Sequence, residues 1–176
     1  FKRSDSPTQK VGGTITKEFK SVIHQFPMLS LGNTYNETDL RDFDERVKRG
    51  LDGEKYEYVC ELKFDGVALS FWYTNGILQK GVTRGDGTRG DDITANVKTI
   101  KSLPTRVNST VLPASYEIRG EGYMPITSFD RINAEKLAKG DQPLANPRNA
   151  ASGTFKMQDS AEVARRDMEC FIYSYV

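Results

Sequence analysis

Lys63 stands between two acids in Glu61-Leu62-Lys63-Phe64-Asp65-Gly66. The alternation predicts a strand over Glu57–Asp65, because a strand sends successive side chains to opposite faces. Glu61, Lys63 and Asp65 then share one face, and Cys60, Leu62 and Phe64 share the other. A lysine held between carboxylates at a strand end is a candidate nucleophile. Alternating charges on a half-exposed antiparallel strand are common, and on alternation alone the solvated face is the commoner explanation.

Two further strings add charge. Glu117, Arg119 and Glu121 share a strand face, with Gly120 and Gly122 behind them for close packing. A surface ion pair is the plain explanation there, and it would be worth little. Arg148 and Lys156 stand just over two helical turns apart, so on a helix both would face phosphate together. Gly85-Asp86-Gly87-Thr88-Arg89-Gly90 matches G-x-G-x-x-G, but it is not read as a dinucleotide loop. Asp86 sits inside it and two more acids follow, where carboxylates would repel a pyrophosphate.

These groups need elements to hold them. Asn36–Gly50 reads as a helix capped by Asn36, with Leu40, Phe43 and Val47 as a core stripe. Val67–Tyr73 and Ile77–Arg84 are strands joined by an Asn75-Gly76 turn. A helix is expected over Asp92–Lys101, with Ile93, Val97 and Ile100 inward. Tyr116–Met124 is a strand, and Thr127–Lys139 is a helix stopped by Gly140. Residues 141–153 form a loop or short helix, and Cys170–Val176 is an apolar strand. Residues 1–35 read as loop and short helix. The pattern predicts an α+β fold with mostly antiparallel sheets and flanking helices.

A chain of 176 residues with 37% hydrophobic content can bury a sizeable core. Its formal charge of +1 gives no global basic field, so any nucleic-acid contact must come from local clusters. No apolar run is long enough to span a bilayer, and no membrane partner is expected. Cys60 and Cys170 are expected to be buried free thiols in a reducing compartment. With His24 as the single histidine, neither a structural zinc site nor a Ser-His-Asp hydrolase is expected.

Five strings, in order, resemble the NAD-dependent DNA ligases of bacteria. They are Pro27–Leu31, Cys60–Gly66, Thr83–Gly87, Glu117–Glu121 and Asn146–Ala150. Asp5–Gly13 resembles the segment that leads into that family's adenylation domain. A lone K-x-D-G is a weak signal, whereas five ordered strings over nearly the whole chain are specific. The resemblance implies a covalent nucleotidyltransferase fold of the DNA ligase adenylation type. It also implies a partial adenylation domain over 1–176. Its parts would be a lead-in loop at 1–13, a helical lead-in at 14–56 and nucleotide-binding sheets and helices at 57–176.

The same resemblance implies roles. Lys63 is the nucleophile that takes AMP from NAD, with Asp65 beside it in the motif. Ser30, Leu31, Glu61, Arg84, Glu121 and Tyr173 are the NAD and AMP positions. Arg119, Arg148 and Lys156 are the phosphate or DNA contacts. Mg²⁺ would offset phosphate charge, and the family's zinc module lies outside this chain. The implied partners are NAD and nicked double-stranded DNA, handled by a monomer in the bacterial cytoplasm. Lys156, Gly32 and Ser174 depart from the family's usual arginine, aspartate and glycine. Its later lysine motifs have no counterpart here, so an isolated chain is expected to bind adenosine better than it catalyses. An ATP-dependent ligase or capping-type nucleotidyltransferase shares the Lys-x-Asp-Gly logic and is the alternative.

Overall fold

Val67–Thr74 has the composition of a buried strand, aromatic and β-branched with a period of two. The rest of the sheet pairs outward from it. The computed structural model describes residues 18–176, so the Asp5–Gly13 string and the 1–13 loop lie outside the described residues. In chain order the elements are β1 (Ser21–Ile23), α1 (Glu37–Leu51), β2 (Val67–Thr74), β3 (Ile77–Thr83), β4 (Arg89–Asp91) and α2 (Thr94–Val97). There follow β5 (Ser115–Tyr123), α3 (Ile126–Ala138), α4 (Pro147–Phe155), α5 (Ser160–Arg165) and β6 (Glu169–Tyr175). The chain divides into two units, one running to Met28 and resuming over Phe64–Val176, the other Leu29–Lys63.

In the larger unit the sheet order is β3-β2-β5-β6, all antiparallel, and β1 pairs with β4 in a separate ribbon. Asn75 and Gly76 both take positive φ, 51° and 72°, which is what a two-residue hairpin with the right twist requires. Leu69, Phe71 and Tyr73 of β2 point into one core with Ile93, Val97, Ile100, Phe155 and Val163. Helices approach the sheet closely where it has no side chain. A Cβ on Gly81 would meet Val97 Cγ2 at 2.1 Å, and one on Gly122 would meet the Phe155 ring at 2.6 Å. Buried Asn96 donates to the carbonyls of Phe155 and Met157, both at 2.8 Å, and so ties α2 to the end of α4. At its start α4 has Pro147 in the first turn, and Asn146 accepts from the Asn149 N–H at 2.8 Å.

In the smaller unit Asn36 caps α1 through the Asp39 N–H, as its sequence predicts. Asp44 then accepts from the Tyr56 and Tyr58 hydroxyls at 2.6 and 2.8 Å, and Lys48 pairs with it at 2.7 Å.

Several expectations need correction. Residues 57–65 form no strand. A strand exists only with a ladder partner, and both edges of β2 are taken by β3 and β5. Leu62 is accordingly 83% exposed rather than in the core, and Cys60 is also exposed. Cys170 is half-buried, and burial first, then the Glu169 carboxylate, pushes its thiol up to about 11. The α1 stripe is not a core face, since no α1 residue is buried. The 92–101 helix shrinks to Thr94–Val97, because the Thr- and Asn-rich run continues in turns with bonds such as Thr99 N–H to Asn96 O. Its inward residues are nevertheless the expected ones, for Ile93, Val97 and Ile100 are all buried. The expected short helix before Tyr35 is absent among the described residues, and β1 lies there instead. β4 and α5 were not expected either.

Replacing Gly122 with Ala is expected to destabilise the chain by about 1–3 kcal/mol through overpacking against Phe155. Unchanged urea unfolding would contradict the packing described. Asp44 is held well below its ordinary 3.8, at about 2, by Lys48 first and then by the two tyrosine hydroxyls. A depressed carboxylate contributes above its unfolded value and is lost as pH falls through its folded one. The Asp44 contacts are therefore expected to be complete above pH 3.8 and to break as pH falls through about 2. Carboxyl NMR titration checks this, and an ordinary midpoint for Asp44 would refute it.

Candidate active site

Tyr116, Ile118, Gly120 and Gly122 of β5 alternate with Glu117, Arg119, Glu121 and Tyr123. Gly122 meets Phe155 and Leu69 of the core, so the charged residues stand on the other face. A row of positions crosses the sheet there. The Arg84 N–H donates to Ala68 O at 3.1 Å, Ala68 pairs with Glu121, and Glu121 pairs with Phe171.

The Lys-Phe-Asp-Gly string joins this row through its glycine. Glu121 Oε1 accepts from the Gly66 N–H at 3.1 Å. A Cβ at Gly66 would meet Gly122 O at 2.2 Å, so no larger residue passes. Tyr173 stands at a register irregularity, since Arg119 pairs with Ser174 while Gly120 pairs with Ile172. Such a bulge re-aims a side chain. Burial raises the Tyr173 phenol, the Glu121 carboxylate adds to that, and Arg119 and Arg84 oppose it. Glu121, Arg119 and Arg84 are therefore each within electrostatic reach of Tyr173.

Beside them Phe171 stacks between two rings, Phe64 at 3.8 Å and Tyr123 at 4.8 Å between centroids. These rings, Asp65, Asn146, Pro147 and Arg148 line a cavity of about 790 Å³. Arg148 Nη1 lies 3.2 Å from Asp65 Oδ1. Lys156, the C-cap of α4, pairs instead with Asp91 at 3.1 Å. The two cations thus reach carboxylates on different segments rather than acting as one pair.

Arg119 departs most from expectation. Its Nε donates to Glu117 Oε1 at 2.6 Å, Nη1 to Pro27 O at 3.0 Å and Nη2 to Phe26 O at 2.7 Å. The pair is no surface bridge, with Arg119 13% and Glu117 3% exposed. Glu117 also accepts from Ser70 Oγ at 2.8 Å, and Trp72 Nε1 donates to that hydroxyl at 2.7 Å. Three of the five Arg119 N–H groups thus meet protein oxygens, which makes it a fastening between β5 and residues 26–27.

Residues 85–88 form a turn that leads into β4. Asp86 accepts from the Thr88 and Arg89 N–H groups at 2.8 and 2.7 Å, and these bonds, Arg89 first, lower its pKa. Ser30, Leu31, Glu61 and Lys63 belong to the smaller unit, in the segments before and after α1, and all four are exposed. Sequence reasoning placed Glu117 on this face but missed Phe171 and His24. Strand alternation flags Phe171, whereas nothing local marks His24. Among the described residues no three His, Cys, Asp or Glu side chains converge to hold a metal ion. No helix among them is long and apolar enough to cross a membrane.

The antiparallel sheet thus carries Glu121 and Tyr173, with Arg84 in reach of Tyr173, beside the Gly66 end of the Lys-x-Asp-Gly string. Residues 16–176 match the NAD-dependent DNA ligase adenylation domain, and the chain belongs to that family. It is 58% identical over 174 residues to a DNA ligase of Cytophaga hutchinsonii, covering 99% of this chain and 26% of that protein. A DNA ligase of Parabacteroides distasonis is 51% identical over 173 residues, 98% of this chain and 26% of that protein. One of Bacillus cereus is 50% identical over 173 residues, 98% of this chain and 25% of that protein. The chain thus spans about a quarter of the length of the relatives it matches.

Arg119→Ala would leave the Glu117 carboxylate buried without its cation, and is expected to cost roughly 3–5 kcal/mol. Denaturant unfolding checks this. A loss under about 1 kcal/mol, the range of exposed pairs, would contradict the fastening role.

Proposed function

We propose that this chain is the adenylate-accepting part of a DNA ligase that uses NAD, with a covalent nucleotidyltransferase fold. It makes up a partial adenylation domain, with a lead-in loop at 1–13, a helical lead-in at 14–56 and nucleotide-binding sheets and helices at 57–176. Support comes from one observation above all. Glu121 holds the glycine of the Lys-Phe-Asp-Gly turn and shares its face with Arg84 and Tyr173.

In this reading the Lys63 amine attacks the α-phosphorus of NAD after giving up a proton. An N–P bond forms, the P–O bond to nicotinamide mononucleotide breaks, and AMP stays on the lysine as a phosphoramidate. AMP then passes to the 5′-phosphate of nicked double-stranded DNA, and the 3′-hydroxyl displaces it to seal the strand. Glu61 contacts adenine, Tyr173 stacks on it, and Ser30 and Leu31 line the adenosine pocket. Glu121 reads the nucleoside, Arg84 binds NAD, and Asp65 serves beside Lys63. Arg119 is a further phosphate or DNA position. Arg148 and Lys156 meet phosphate or DNA. Their present carboxylate pairs are exposed and weak, so phosphate oxygens displace them at little cost. Among the described residues no acidic cluster would hold a metal ion, and Mg²⁺ bound by the phosphates would offset their charge. The protein works as a monomer in the cytoplasm.

Intact-mass measurement after incubation with NAD and Mg²⁺ tests the chemistry. A gain of one adenylate on the unaltered chain and none on Lys63→Ala is the expected result. The same gain on both would remove Lys63 as the nucleophile. In a protein of the relatives' length, Lys63→Ala is expected to abolish nick sealing. Sealing with ATP while NAD is ignored would overturn the choice of substrate.

A further inference from the structure

His24 is buried, at 6% exposure, directly after β1. Its Nε2 lies 3.1 Å from Thr83 O and 3.1 Å from Arg84 O. Both partners are carbonyl oxygens and can only accept, so Nε2 carries the hydrogen and shares it between them. Nδ1 is then a bare acceptor, and it is buried with no partner among the described residues. An apolar side chain would fill this space without leaving a lone pair unbonded. The imidazole is therefore a poor choice for packing alone, and its benefit lies in the N–H.

That N–H acts on the backbone of one residue. The Arg84 N–H is held by Ala68 O at 3.1 Å, and its carbonyl accepts from the Gly87 N–H at 3.0 Å and from His24. With both of its peptide groups held, the direction in which the Arg84 side chain leaves the main chain is set. Directly beyond, Gly85 takes a positive φ of 58°, so the chain reverses at once. The segment carrying His24 is itself tied to the same turn. His24 N–H donates to Thr88 O and Met28 N–H to Gly87 O, both at 2.9 Å. On the far side its carbonyls at Phe26 and Pro27 are gripped by Arg119.

We propose that His24 is a positioning residue for Arg84, aiming the guanidinium at the phosphates of NAD across the face that carries Glu121 and Tyr173. The inference rests on the ligase reading above. His24 touches no substrate. It acts through the Arg84 carbonyl, and the single hydrogen it donates is what matters.

Calorimetric titration of the chain with NAD tests this, alongside Arg84→Ala, His24→Leu and His24→Gln. Glutamine places an amide N–H near the position of Nε2, whereas leucine fills the space without a donor. His24→Leu is expected to weaken NAD binding roughly three- to tenfold, the worth of one hydrogen bond. His24→Gln is expected to recover most of that loss. In an Arg84→Ala background His24→Leu is expected to change nothing further, because the two act as a unit. Amide exchange at residues 85–90 should quicken in the leucine variant and not in the glutamine one. Unchanged affinity in His24→Leu would overturn the proposal. So would an equal loss with or without Arg84, since that is the mark of a merely structural residue. If the leucine variant does not fold, His24→Asn replaces it, its shorter amide failing to reach the two carbonyls. Failure of the unaltered chain to bind NAD would overturn the nucleotide reading itself, and this inference with it. Binding of NAD with no sensitivity to Arg84→Ala would overturn this inference and leave that reading in place.

Discussion

Most of the charged face depends on one guanidinium. Arg119 holds the Glu117 carboxylate on its own strand and two carbonyls of the segment that crosses that face. A cation buried beside an acid needs further acceptors, and main-chain oxygens at Phe26 and Pro27 each take one of its N–H groups. The bond chain continues from Glu117 to Ser70 and Trp72, so β5, β2 and the crossing segment form one connected unit. Residues 24–28 have no helix or ladder of their own to satisfy their backbone. Their order comes from Arg119 on one side and from the turn after Arg84 on the other.

β5 is what allows chemistry and packing to coexist. Its even-numbered residues include two glycines that admit Phe155, Leu69 and the β6 backbone. Its odd-numbered residues carry charge on the opposite side, and that charge is organised by bonds rather than scattered. The register irregularity in β6 then brings Tyr173 toward the same residues. A sheet with this division keeps the core dry while placing cations, acids and aromatic rings on its other face. Polar groups fixed in this way lose little freedom when a ligand arrives.

Periodicity and turn chemistry made β2, β3, β5, β6 and α3 legible, because their signals are local. Asn75-Gly76 is a hairpin whatever surrounds it, and β-branched and aromatic alternation needs a core. The same alternation misled at Glu57–Asp65, where no strand edge was open to pair with. It misled again for the α1 stripe, whose spacing is right but whose residues are not buried. The short β1–β4 ribbon has three residue pairs and no pattern to announce it. Of the candidate site, the strings named Arg84, Glu121, Asp65 and Arg148, the resemblance added Tyr173, and all five share one unit of the fold.

The sequence by itself determined the family, the nucleophile candidate and the α+β class, since each rests on residue types in order. Tertiary structure alone decided how the charges are used. Folding engages Arg119 with Glu117 and two main-chain carbonyls, and it sets His24 against the backbone of Thr83 and Arg84. The reason is that a hydrogen-bonding side chain takes its role from the partners that folding brings within reach. Residues 24 and 84, or 27 and 119, meet only in three dimensions.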